Sequence, residues 1–210
     1  AGPPGRHGPV FNPATGEQAA EVDPASAAEV DDVVEVATEA AAEWGATSLS
    51  RRGNVMVRFR GLLDRIRDEL AAVVTDEHGK VLADAAGEVA RGIENVEFAT
   101  GIPHLLKGSV STEVSSGVDV QTVLEPLGVV AGITPSNFPV MVPLWMAANA
   151  IATGNAFVLK PSEKDPSASI RLTELAQQAG LLDGVLNGVH GDAEAVDALL
   201  CPASGALSTL

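Results

Sequence analysis

Apolar residues recur every three or four positions in three successive stretches of the chain, and this spacing predicts three helices. From about Ser26, the residues Val30, Val33, Val34, Ala37 and Ala41 fall on one face of a helix that Asp23 or Ser26 is placed to cap. A second run, beginning near Arg51, repeats Met56, Phe59, Leu62, Leu63 and Ile66 with the same period. Gly79 ends it, because glycine readily adopts the left-handed backbone that closes a helix. A third helix covers about Ala83 to Gly101. Ahead of the helices, residues 1 to about 24 are rich in Gly, Pro and polar side chains. The turn chemistry of NPATGE there predicts an irregular arm with short extended pieces.

The pattern then changes. Residues 109–126 are rich in β-branched side chains, with alternation at Val118, Val120, Thr122 and Leu124, which predicts a hairpin or an extended strand pair. Beyond it, strands at Gly128 to Ile133, Ala156 to Leu159 and Val185 to Val189 alternate with helices at about Val140 to Thr153, Ser167 to Ala179 and Ala193 to Leu200. A last strand starts at Ala206. Strands and helices alternating through short loops imply a parallel, doubly wound α/β sheet of the nucleotide-binding kind. The expected organisation is an arm over 1–24, a helical part over 25–108, a β hairpin over 109–126 and an incomplete sheet over 127–210. The most apolar stretch, from Pro139 onward, is interrupted by Pro143 and is shorter than the roughly 20 residues a bilayer span needs. It reads as a buried helix.

Composition narrows the function. With 210 residues, 46% of them hydrophobic, the chain can bury a substantial core. A formal charge of −15 argues against nucleic acid, whose phosphates call for a basic stripe. A single cysteine, Cys201, rules out an internal disulfide framework and fits a reducing compartment. No signal-peptide pattern opens the chain, so cytoplasm is the expectation. His7, His78, His104 and His190 lack the spacing of zinc ligands. The chain starts without Met and stops inside an expected strand, which reads as a fragment or a processed form.

Parallel sheets bind ligands beyond the carboxyl ends of their strands, and that rule selects two segments. In the first, TPSNFP, Asn137 projects from a strand end at a helix start, with Pro139 in the first turn where proline is tolerated. Its side-chain amide can donate to a developing oxyanion, or act as an ordinary turn or capping residue. In the second, KPSEKDPS, Lys160 ends an apolar strand and Glu163 follows. Lysine as donor and glutamate as acceptor suit the hydroxyls of a ribose, although a solvated strand end would look the same.

Taken together, GVVAGITPSNFPVMVPLWM and GNAFVLKPSEKDPSAS resemble the aldehyde dehydrogenase superfamily, over about Pro9 to Ser208. Met141, Trp145 and Met146, preceded by GEVARGIENVEFA, are similar to its acylating methylmalonate-semialdehyde branch and to that branch's N-terminal portion. The resemblance implies NAD as cofactor, an aldehyde substrate and coenzyme A as acyl acceptor. It implies that Asn137 stabilises the oxyanion, that Lys160 and Glu163 hold the adenosine ribose, and that Thr134, Ser136 and Lys164 lie near the cofactor. Arg91 matches an arginine directed at the substrate's carboxylate, a grip that a guanidinium makes through two hydrogen bonds; without the resemblance it reads as an exposed arginine paired to Glu88 or Glu94. Ser136 stands where the family usually has an aromatic residue. The family binds its dinucleotide without a GxGxxG fingerprint, so none is expected. The hairpin over Gly117 to Glu125 resembles the family's oligomerisation arm. The catalytic nucleophile of such enzymes lies far downstream, so Cys201 is read as a small buried apolar residue rather than a nucleophile. A hydrolytic aldehyde dehydrogenase, and a chain that only binds NAD or assembles, are the alternatives.

Overall fold

The computed structural model describes residues 7–203, 205 and 207–209. The N-terminal arm is a small antiparallel hairpin, β1 (Gly8–Phe11) with β2 (Gln18–Val22). Its turn uses the expected chemistry, with Asn12 Oδ1 accepting from the Ala14 N–H at 2.9 Å and its carbonyl from Gly16 at 2.8 Å. The first six residues of the predicted arm lie outside the described residues.

Helix α1 (Ala27–Gly45) opens with a capping box. Ser26 rather than Asp23 is the cap: its hydroxyl accepts from Glu29 N at 3.3 Å, and Glu29 accepts from Ser26 N at 2.9 Å. The second periodic run is two helices, α2 (Leu49–Arg65) and α3 (Arg67–His78), broken at Ile66. No Gly or Pro marks that bend; the Ile66 N–H turns to Leu63 O at 3.2 Å, and both helices remain packed on α4 (Leu82–Ala99). Gly79 closes α3 at φ 82°, as its sequence position suggests. A four-residue turn, α5 (Ile102–Leu105), separates α4 from the second hairpin, β3 (Val110–Ser115) with β4 (Val118–Gln121). Every residue of both strands is exposed, and the expected alternation through Leu124 ends at Gln121.

The remainder is a four-stranded parallel sheet in the order β7-β6-β5-β8, formed by β5 (Val129–Ile133), β6 (Ala156–Lys160), β7 (Leu186–Gly188) and β8 (Leu207–Thr209). Between the strands run α6 (Met141–Ala152), α7 (Ser167–Gln178) and α8 (Ala193–Leu200). Alternation sorts each strand's side chains between two cores. Val129, Ala131, Ala156 and Val158 face α1 and α8, while Val130, Phe157 and Leu159 face α6, α7 and the helices behind them. The doubly wound fold is therefore as the sequence suggests. The final strand begins at Leu207; the predicted start at Ala206 lies outside the described residues. Among the described residues no helix is long and apolar enough to cross a membrane.

Candidate active site

The chain moves outward from β5 through β6 to β7, then returns to place β8 on the other side of β5. That reversal makes the carboxyl end of β5 a topological switch point, where open α/β sheets bind ligands. Strands β5 and β6 end level with each other, Ile133 paired with Lys160, and Thr134 N bonds Lys160 O at 3.0 Å. The two candidate loops are thus neighbours.

In the loop after β6, Lys160 is 5% exposed and its ammonium reaches Glu163 at 3.2 Å. A bond to its own backbone N–H, followed by the contact with Lys160, holds the Glu163 carboxyl below the usual carboxylate range against a burial effect in the other direction. Ser162 Oγ accepts from Lys164 N at 3.0 Å, tightening the turn, and Lys164 itself is exposed. Beside this loop, Thr134 is buried and its hydroxyl has no hydrogen-bond partner among the described residues. Such an orphaned group is the feature expected where a polar ligand completes a site. Ser136, Glu163 and Lys164 line one open cavity of about 550 Å3, together with Phe11, Glu77, His78 and Asp165.

Asp165 was not singled out by its sequence. It is 2% exposed, and among the described residues neither carboxylate oxygen has a partner within 3.5 Å, Ser162 being the nearby hydroxyl. Burial pushes its carboxyl up to about 6, Ser162 opposes that, and Glu77 and Glu88 add to it. His190, noted in the sequence only as lacking zinc-ligand spacing, follows β7 and brings a third strand end to the same edge. Its Nδ1 is buried without a partner among the described residues, and burial together with Lys160 lowers its pKa.

Asn137 lies in the loop after β5 and is exposed. Its backbone carbonyl accepts a hydrogen bond from the Lys80 ammonium, which also bonds Glu88 and sits 4.1 Å from the centre of the Phe138 ring. Glu88, 4% exposed, accepts from the Val140 and Met141 N–H groups at 2.8 and 3.2 Å. Neither residue was drawn from the sequence as part of a site. A signal was present: Glu88 falls on the apolar stripe of its helix, between Ala85 and Val89 and one turn before Gly92, where an unpaired carboxylate would be costly. Its partner is Lys80 and not Arg91, because Glu88 faces inward and Arg91 outward.

Arg91 is not brought into this group. Its side chain is 70% exposed and pairs with Glu94 at 3.3 Å, three residues on. Cys201 caps α8 as the sequence order suggests, but it is exposed, correcting the expectation of a buried thiol. The short helix ends there, so the residue leaves its apolar face.

Comparison with known proteins agrees with the fold. The model of the aldehyde dehydrogenase family matches residues 3–206. Malonate-semialdehyde dehydrogenase of Pseudomonas aeruginosa is 50% identical over 196 residues, covering 93% of this chain and 39% of its own length. The methylmalonate-semialdehyde dehydrogenase of Oceanimonas doudoroffii superposes with a TM-score of 0.94 at 51% identity, over 97% of this chain and 42% of that one. A Sinorhizobium meliloti 1021 protein, described as a methylmalonate-semialdehyde dehydrogenase and solved with NAD, gives 0.93 at 50% identity, over 95% and 41%. The chain thus spans about two-fifths of the length of the relatives it matches. Its parallel sheet, its paired strand-end loops and a family match over nearly its whole length agree: the chain belongs to the aldehyde dehydrogenase family.

Proposed function

We propose that this chain is the cofactor-holding portion of an NAD-dependent enzyme that oxidises malonate semialdehyde or methylmalonate semialdehyde and passes the acyl group to coenzyme A. The names of the similar proteins support the substrate class, and the solved relative carrying NAD supports the cofactor. The observation that carries the reading is the side-by-side placement of the two loops at the switch point, joined by the bond from Thr134 N to Lys160 O.

The residues fit a dinucleotide. Lys160 offers ammonium protons not taken by Glu163, Glu163 offers a half-exposed carboxylate, and the Thr134 hydroxyl is unsatisfied. Lys160 and Glu163 would hold ribose hydroxyls, with Thr134, Ser136 and Lys164 completing the wall. Once bound, NAD supplies the hydride acceptor. Asn137, exposed at the neighbouring strand end, donates its side-chain amide to the oxyanion that forms when the aldehyde carbon is attacked. Arg91 exchanges its exposed partner Glu94 for the substrate's carboxylate, a small change for a weak surface pair. The exposed hairpin β3–β4 presents unpaired strand edges and joins subunits.

The test is a chimera in which this chain replaces the matching part of the Pseudomonas aeruginosa relative. NADH formation from malonate semialdehyde, NAD and coenzyme A is expected. Asn137→Ala should lower kcat by roughly 100-fold with little change in KM. Undiminished turnover in that variant would refute the oxyanion role. A folded chimera that binds NAD but oxidises no semialdehyde would refute the proposed reaction.

A further inference from the structure

An oxyanion donor acts only if it is held in place before the charge develops, to within a fraction of an ångström. Asn137 sits in a loop whose flanking backbone bonds are Thr134 N to Lys160 O and Val142 N to Phe138 O. Helix α6 begins just beyond it at Met141, and its cap residue, Val140, has no capping side chain. Local sequence therefore leaves the segment between Thr134 and Met141 weakly specified.

Two residues from elsewhere complete it. The close approach of α4 to α6 depends on Gly92, where a Cβ would stand 2.8 Å from Leu144 Cδ1 and 3.5 Å from Met141 Cα. One turn earlier on the same helix face, Glu88 is carried beneath the start of α6, and one carboxylate oxygen takes the Val140 and Met141 N–H groups. That oxygen caps α6 from another helix, and its charge also suits the positive end of the helix. The second oxygen holds the Lys80 ammonium. Lys80 in turn donates to the Asn137 carbonyl and rests against the Phe138 ring.

We infer that Lys80, anchored by Glu88, is a positioning residue for Asn137: it fixes the peptide after Asn137 by its carbonyl and so sets the direction of the side-chain amide. The inference rests on the oxyanion reading of Asn137. Because the Lys80 charge is balanced by Glu88, its effect on the loop is geometric. Side-chain rotamer choice follows the backbone dihedrals, so a peptide free to rotate would release the amide as well. Arginine at position 80 keeps a cation with several donors, whereas methionine keeps length and packing and loses every donor.

Amide hydrogen exchange by NMR on the 210-residue chain tests this, together with 15N relaxation of the Asn137 side-chain amide. In Lys80→Met, the amides of Phe138, Val140 and Met141 are expected to exchange at least tenfold faster, while those of Val130 and Val158 stay within twofold. The Asn137 side-chain amide should become measurably more mobile, and Lys80→Arg should restore most of the protection. An equal rise throughout the chain would show that Lys80 merely stabilises the fold, and an unchanged loop would show that it does not hold it; either overturns the inference. Should Lys80→Met not fold, Glu88→Gln weakens the anchor while keeping an acceptor for α6, and the same local loss is expected. The oxyanion reading fails separately, through undiminished turnover in the Asn137→Ala chimera.

Discussion

The two strand-end loops of the candidate site are held in different ways. The loop after β6 is tied by near neighbours: Lys160 to Glu163 three residues on, and Ser162 to Lys164 two residues on. The loop after β5 is tied from a distance, by Lys80 and Glu88, which precede Asn137 by 57 and 49 residues. The local ties leave Glu163 half exposed and able to meet a ligand, whereas the distant ties rest on a buried carboxylate, Glu88, and a partly buried ammonium, Lys80, and serve the backbone. A carboxylate thus performs opposite tasks in the two places. One is kept available and the other is fully used.

Removing the two carboxylates separates these tasks most sharply. Glu88→Ala leaves the Lys80 ammonium and two N–H groups without their acceptor, and should cost about 3 to 5 kcal/mol in urea unfolding. Glu163→Ala leaves the buried Lys160 ammonium without its carboxylate, but because Glu163 itself is half exposed and water can take its place, the cost should be smaller, about 1 to 2 kcal/mol. Comparable losses would erase the distinction between the loops.

This contrast also explains what the sequence disclosed. The loop after β6 was legible because donor and acceptor lie within one short motif, and Thr134, Ser136 and Asn137 were legible because alternating β and α elements mark strand ends. The ties from Lys80 and Glu88 were hidden because they depend on how α4 packs against α6, although a glutamate on an apolar stripe was a visible clue. The break at Ile66 likewise has no local signal. Arg52 is a further case: its periodic position gives no hint that the residue is 6% exposed with Nε and Nη1 unpartnered among the described residues.

Asp165 marks the place where the two sets of ties meet, since its buried carboxyl belongs to the local loop yet feels Glu77, Glu88 and Lys80 from the other elements. Its pKa is raised from 3.8 to about 6, so the folded state resists ionisation that the unfolded chain allows. This group imposes no penalty below pH about 4; the penalty grows as pH rises and is complete above about 6. Asp165→Asn should therefore stabilise the chain relative to the parent at pH 8, by something on the order of 2 kcal/mol, with no such gain at pH 4. Thermal unfolding at the two pH values checks it. A gain equal at both would mean that ionisation is not the cause.

The smallest effect is expected outside both loops. Arg91→Ala breaks only the exposed contact with Glu94 and should change stability by less than about 0.5 kcal/mol. A larger loss by urea titration would show that Arg91 serves the fold and would weaken its proposed role toward substrate.

The central claim is that the sheet edge after β5 and β6 forms a cofactor platform, and calorimetric titration of NAD into the 210-residue chain tests it most directly. The account predicts binding that Lys160→Ala and Glu163→Ala each weaken at least tenfold, about the value of a charge-assisted hydrogen bond, while leaving the fold intact by circular dichroism. Binding of equal strength in the parent and both variants would contradict it.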